Sequence, residues 1–205
     1  MTPRLTILIA TVPERHEQLS ALLDVLGPQA APFKGEVEII LDQRPKANQP
    51  EGVSIGQKRN DLLQRANGDY IVYFDDDDMP EAFYLRDIME ALEKDPDCVG
   101  QVIKMTINGM PSDLCIHSLR YPTWSIRPLP SDNFGNAWQR NVTHRNPVRR
   151  SIALQVGFPD QTFGEDKVYS DRVTQLCESE VFIERPAFTY QYSTAERHNA
   201  KYGIA

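Results

Sequence analysis

Five consecutive β-prone apolar residues, Tyr70-Ile71-Val72-Tyr73-Phe74, run straight into four aspartates, Asp75-Asp76-Asp77-Asp78. No other stretch constrains the fold as tightly. An unbroken apolar run of this kind reads as a strand covered on both faces, the habit of parallel sheets. The four aspartates repel one another directly after the strand, at its carboxyl end, the edge where open α/β sheets bind ligands.

The flanking pattern supports a parallel sheet. Leu5 to Ala10 is a short apolar strand, and Glu14 to Leu26 places Leu19, Leu22, Leu23 and Leu26 on one helical face. Gly27-Pro28 is expected to close that helix. Val37 to Leu41 reads as the second strand. Ser54-x-x-Gln57 fits a capping box opening a helix that Asn67-Gly68 ends. Beyond the aspartates, Pro80 suits a helix first turn, with Leu85, Ile88, Met89 and Leu92 as its apolar face. Strand and helix alternate, which predicts an α/β fold with a mainly parallel sheet.

The second half changes character. Val99 to Ile107 and Leu114 to Leu119 flank Asn108-Gly109, a hairpin signal that predicts a small antiparallel portion. Tyr121 to Arg145, rich in Pro, Asn and Trp, reads as one long loop. Helices are expected around Val148 to Val156 and Glu165 to Cys177, with short β runs at Val181 to Glu184 and Phe188 to Tyr192. Thr194 to Ala205 is polar. The whole chain of 205 residues is read as a single domain, 1–205.

Composition removes several classes. Asp+Glu number 29 against 22 Lys+Arg, a net charge of -7, which argues against a general nucleic-acid binder. No apolar stretch approaches the roughly 20 residues that span a bilayer, and Leu5 to Val12 reads as a strand rather than a signal peptide. Cys98, Cys115 and Cys177 show no metal-site spacing and suit reduced thiols in a cytoplasmic protein. The phosphate loop, the dinucleotide fingerprint and the hydrolase elbow are all missing from the sequence.

Three clusters remain that carry chemistry. Asp75 to Asp78 at a strand end either invite a hard divalent cation, which in turn holds nucleotide phosphates, or complement the dipole of the next helix. Lys58 and Arg59 near the start of a helix either meet a diphosphate or are solvated. Phe163-Gly164-Glu165-Asp166 supplies either a general base or a helix cap. Tyr121, Trp124 and Trp138 either stack on a sugar or base or pin their loop.

Taken together, these residues resemble family 2 glycosyltransferases of the GT-A fold. The matching segments are Ser54-Ile55-Gly56-Gln57-Lys58-Arg59-Asn60, Ala66-Asn67-Gly68-Asp69 running into the Tyr70 strand and its aspartates, and Gly164-Glu165-Asp166. Ile107-Asn108-Gly109, His117-Ser118-Leu119 and His144-Arg145-Asn146-Pro147-Val148-Arg149 resemble small members from phages and bacterial surface-sugar loci.

The resemblance implies transfer of a sugar, with inversion, from a nucleotide-diphosphate sugar to a hydroxyl acceptor: a surface glycan, a lipid-linked sugar or a modified nucleic acid. It implies donor contacts from Thr11, Pro13, Arg15, Asp42, Lys58, Arg59, Asn60, Asp75 and Asp76. It also implies Mn²⁺ or Mg²⁺ on Asp77 of a DxD motif, with Asp75, and His198 completing the set in competition with His144. Asp166 would be the base, with Glu165 as the alternative. The second strand ends Leu41-Asp42-Gln43-Arg44, without the family's Asp-Gly-Ser. Arg140, Arg145, Arg149 and Arg150 form the modest basic cluster that a DNA acceptor would need. The rival readings are a non-catalytic nucleotide-sugar-binding module and a nucleotidyltransferase, whose Gly-rich basic first loop is not matched by Ala10-Thr11-Val12-Pro13-Glu14.

Overall fold

The computed structural model describes residues 2–194; Met1 and residues 195–205, and with them His198, lie outside the described residues. In chain order the elements are β1 (Leu5–Ala10), α1 (His16–Ala30), β2 (Val37–Asp42), α2 (Ile55–Arg65), β3 (Tyr70–Asp75), β4 (Met79–Pro80), α3 (Tyr84–Leu92), β5 (Cys98–Ile107), β6 (Met110–Pro111), β7 (Leu114–His117), β8 (Leu129–Ser131), β9 (Gly135–Arg140), β10 (Val148–Arg149), α4 (Arg150–Val156), α5 (Glu165–Thr174) and β11 (Glu180–Tyr192).

The expected mainly parallel sheet is present. β1 lies between β2 and β3, parallel to both. The short β10 pairs antiparallel with β3 on one side and β5 on the other, so β5 runs in the same direction as β3. β11 follows β5 in parallel. The antiparallel portion is the β5–β6–β7 turn and the β8–β9 hairpin, which adds to β7. Asn108 (φ 50°) and Gly109 (φ 81°) form the two-residue turn between paired Ile107 and Met110, both in the left-handed region a tight hairpin requires.

Alternation along the central strands divides the core between two faces. Leu5, Ile7 and Ile9 of β1 with Tyr70, Val72 and Phe74 of β3 bury against Leu19, Leu22 and Leu26 of α1 and Leu85, Ile88 and Leu92 of α3. Leu8, Ile71 and Tyr73 point the other way, against Leu62 and Leu63 of α2, Ile152 of α4 and Tyr169 and Val173 of α5. Each such aliphatic side chain contributes roughly 1.5–3 kcal/mol of burial. No described helix is long and apolar enough to cross a membrane.

Four sequence expectations are corrected. α1 does not stop at Gly27-Pro28 but runs on to Ala30. The continuation is held by Gln29, whose amide donates to the Glu81 carbonyl (3.0 Å) and accepts from the Leu85 N–H (3.1 Å) at the start of α3. Pro80 is not in a helix first turn; it pairs with Phe188 in β4, and α3 starts at Tyr84. The Tyr121 to Arg145 loop contains β8 and β9, turned by Gly135 at φ 65°. The two late β runs are one strand, β11, whose register with β5 shifts on either side of Pro186, the residue that cannot donate to a ladder.

Candidate functional site

Three parallel strands end together, and that places the site. Ala10 is opposite Asp42 on one side and Asp75 on the other. The next residue, Thr11, donates its N–H to the Asp42 carbonyl (2.8 Å) and its hydroxyl to Asp76. Pro13 opens a short 3-10 turn, Pro13–Arg15, that swings Arg15 over the aspartates. Arg15 pairs with Asp76 at 3.1 Å and Asp77 at 2.8 Å.

The four aspartates are not equivalent. Asp75 accepts from Arg59 (2.9 Å) and from Arg145. Burial alone would raise its pKa, but the two guanidiniums outweigh that and hold it well below the usual carboxylate range. Asp78 is fully buried, takes the Arg145 Nε–H at 2.8 Å and has no partner for Oδ1 among the described residues. Burial pushes its pKa up to about 8 against the pull of Arg145. Asp76 is also buried and raised by burial, with Thr11 and Arg15 opposing. Asp77 keeps 27% of its side chain exposed.

On the opposite helical layer, Gly164 at φ 80° turns the chain into α5 and sets Glu165 inward. Glu165 meets Arg59 at 2.6 Å, and burial raises its pKa to about 7 despite that cation. Asp166 stays half-buried and accepts the Lys167 N–H at 2.8 Å. His144 is buried with Nε2 3.2 Å from Arg59 and 3.5 Å from Asp75. Burial and the Arg59 charge lower its pKa to about 4, so the ring is neutral.

Four of the expected donor contacts, Asp42, Lys58, Arg59 and Asn60, are engaged by other groups of the protein. Lys58 and Arg59 are buried rather than solvated. Lys58 donates to the carbonyls of Thr11 (2.6 Å) and Arg44, tying the ends of β1 and β2 together, and burial lowers its pKa. The start of α2 is closed: Ser54 caps Gln57 as its capping box implies, and Gly56 N–H donates to the Gln161 carbonyl. Asn60 clips both the N–H and the carbonyl of Phe158 at 2.8 Å. Asp42 borders a hollow of about 390 Å³ at the end of β2, but its carboxylate is held by Arg44, which lowers its pKa against burial.

A cavity of about 490 Å³ opens over the strand ends, lined among others by Arg15, Asp76, Asp77, Asn108 and Tyr192. Its donor set suits a hard cation. Magnesium typically takes one or two carboxylates and completes its shell with water and phosphate oxygens. Asp76 and Asp77 offer that pair on the cavity wall. Asp75, taken by Arg59 and Arg145, does not line it. No three His, Cys, Asp or Glu side chains among the described residues form an all-protein cage.

The residue whose role the sequence does not reveal is Arg145, a member of the His144–Arg149 segment and of the basic cluster but of no assigned site role. Residues 144–149 run antiparallel to β3, with Val148 opposite Ile71 and the Tyr73 N–H bonded to the His144 carbonyl. Stepping back from Val148 therefore climbs β3 toward Asp75. Two of the four cluster members are neutralised: Arg145 is buried on Asp75 and Asp78, and Arg149 pairs with Asp95 and Asp97.

A family model described as glycosyl transferase family 2 matches residues 36–153, more than half of the chain. No curated protein matches it in sequence. Solved structures of TarS from S. aureus share the fold. TarS 1-349 in complex with UDP-GlcNAc superposes with a TM-score of 0.61 at 12% identity, over 92% of this chain and 58% of that one. The complex with UDP gives 0.60 at 14% identity, over 98% and 64%. The chain thus spans about three fifths of the length of these TarS structures. The shared architecture is the GT-A fold, a mainly parallel sheet flanked by helices.

Proposed function

This chain belongs to glycosyl transferase family 2, and from that membership and the geometry of its strand ends we propose that it transfers a sugar from a nucleotide-diphosphate sugar to a hydroxyl acceptor. The observation that carries the reading is the pairing of two elements. A carboxylate turn with Arg15 lines the cavity of about 490 Å³, and Arg59 bridges that turn to the acidic start of α5. UDP and UDP-GlcNAc in the TarS complexes support a uridine-diphosphate sugar as donor.

The diphosphate lies against Arg15, Asp76 and Asp77. Asp77 with Asp76 would hold a Mg²⁺ or Mn²⁺, which would supply neutralisation of the diphosphate. Arg15 adds a guanidinium suited to phosphate oxygens. Asp75 stays ionised between Arg59 and Arg145 and fixes the turn. The reaction is a single displacement with inversion. The acceptor oxygen bonds to the sugar's anomeric carbon, its proton passes to Asp166, and the bond to the diphosphate breaks. Asp166 is preferred as base because it is half-buried, whereas Glu165 is 6% exposed and committed to Arg59. The commitment of Arg145 and Arg149 to aspartates favours a glycan or lipid-linked acceptor over DNA. The three buried free cysteines suit a cytoplasmic enzyme.

The test is Asp166→Asn, assayed for transfer and separately for UDP binding. Loss of general-base catalysis removes about 10²–10⁴-fold of rate, while UDP affinity stays as in the wild type. Transfer at near wild-type rate overturns the base assignment. UDP-sugar binding with no turnover by the wild type toward any acceptor leaves the binding-module reading instead.

A further inference from the structure

The cations around the site are almost all neutralised by carboxylates. Arg15 faces Asp76 and Asp77, Arg59 faces Asp75 and Glu165, Arg145 faces Asp75 and Asp78, and Lys167 faces Asp171. Arg140, the last residue of β9, is different. Among the described residues its guanidinium has neither a carboxylate nor a hydrogen-bond acceptor. It is half-buried and stacked instead on aromatic rings, 4.5 Å from the centroid of Trp124 and 5.6 Å from that of Tyr190.

This arrangement is built rather than incidental. Trp124 Nε1–H donates to Ser170 on α5 at 3.1 Å. Its neighbour Ser125 exchanges two bonds with Gln139, at 2.7 and 3.0 Å. The Tyr190 ring is shared with Arg145, 4.4 Å away, which holds the carboxylate turn. The Trp124 ring is shared with Lys167, 5.8 Å away, the residue after Asp166. Arg140 therefore stands between the donor turn and the helix that carries the base. Cation–π contact uses none of a guanidinium's N–H groups, so those of Arg140, which can grip an oxyanion in bidentate fashion, have no protein partner among the described residues. Nearby His117 adds no charge, since burial and then Arg140 and Arg145 hold its pKa well below the usual value.

We propose that Arg140, held over Trp124 and close to Tyr190, is an anion-binding acceptor subsite, so that the acceptor is an acidic sugar or sugar phosphate rather than a neutral one. This rests on the glycosyltransferase reading above for the word acceptor, but the subsite itself is testable without turnover. The probes are glucose 6-phosphate, glucuronate and glucose, titrated calorimetrically into the full chain, with UDP as a separate titration. A charge-assisted bidentate contact predicts that the wild type binds at least one of the two anions about tenfold more tightly than glucose.

Arg140→Gln is expected to erase that preference while leaving UDP binding unchanged. Arg140→Lys, which keeps the charge, is expected to retain part of it. Phosphate and carboxylate are told apart by which of the two anions carries the preference. Equal binding of all three probes by the wild type, or no binding of any of them, overturns the proposal. So does a preference that survives Arg140→Gln, or an Arg140→Lys protein no better than Arg140→Gln. Loss of UDP binding by the wild type, with the anion preference intact, would instead count against the donor reading alone.

Discussion

Replacing Glu165 with Gln should change how stability depends on pH more than it changes stability at any single pH. Glu165 is 6% exposed, and its pKa stands at about 7 against the ordinary 4.5. Burial is the larger cause, and the Arg59 guanidinium at 2.6 Å only partly offsets it. The folded chain therefore holds this proton to higher pH than the unfolded chain does. The stabilisation is fully present below pH 4.5 and is lost as pH rises through about 7. At roughly 1.4 kcal/mol per pKa unit, the loss is about 3 kcal/mol. Glutamine has nearly the same shape and cannot titrate.

The assay is urea unfolding of wild type and Glu165→Gln at intervals from pH 4.5 to 8.5, followed by tryptophan fluorescence. The quantity read is wild-type stability minus variant stability. Groups common to both proteins cancel in that difference, including Asp78 near 8 and His144 near 4. The difference is expected to fall by about 3 kcal/mol across the range. A flat difference refutes the argument, because Glu165 then does not change its proton between the two states. A difference that climbs with pH refutes it more sharply, because attraction to Arg59 would then outweigh burial.

Two further outcomes are expected. Gly56→Ala would place a Cβ 1.9 Å from the Pro159 carbonyl oxygen, a backbone atom that cannot step aside cheaply. A loss of about 2–3 kcal/mol in unfolding free energy is expected, and an unchanged urea midpoint would mean the 158–161 segment does not pack on α2. Asp77→Ala should abolish the extra thermal stabilisation that Mn²⁺ gives in the presence of UDP, a mass-action effect of binding to the folded state. A wild type that binds UDP equally with Mn²⁺ and with EDTA would remove the metal role from Asp77.

The parallel half of the fold was legible because its signals are local. The apolar runs of β1 and β3, the capping box at Ser54 and the Asn108-Gly109 turn each act within a few residues, and each sits where its spacing implies. Errors came where a distant partner overrides a local preference. Pro28 stays inside α1 because Gln29 is bonded to the start of α3. Pro80 becomes strand because Phe188, more than a hundred residues away, supplies its neighbour. The β8–β9 hairpin lacks periodicity of its own and is ordered by adding to β7.

The site divides along the same line. Position at a strand end singled out Asp75 to Asp78, but which aspartate does what depends on cations brought from other elements. The apolar strand and the capped helix α2 deliver Arg59 to one side of Asp75, and antiparallel β10 delivers Arg145 to the other. The result is a buried alternation, Glu165, Arg59, Asp75, Arg145, Asp78, in which each cation is shared by two carboxylates. Such a chain is a poor way to gain stability, since desolvating each charge cancels much of its attraction. Its two end members show that cost, both pushed toward neutral pH by burial. What the alternation does supply is geometry. It fixes the start of α5 relative to the carboxylate turn with short directional bonds, so that Asp166 and the cavity at Asp76 and Asp77 hold one spacing. Burying Glu165, Asp78 and two arginines at this price in desolvation is accounted for by that spacing, and its local traces in the sequence were the acid run after β3, Lys58-Arg59 and Gly164-Glu165-Asp166.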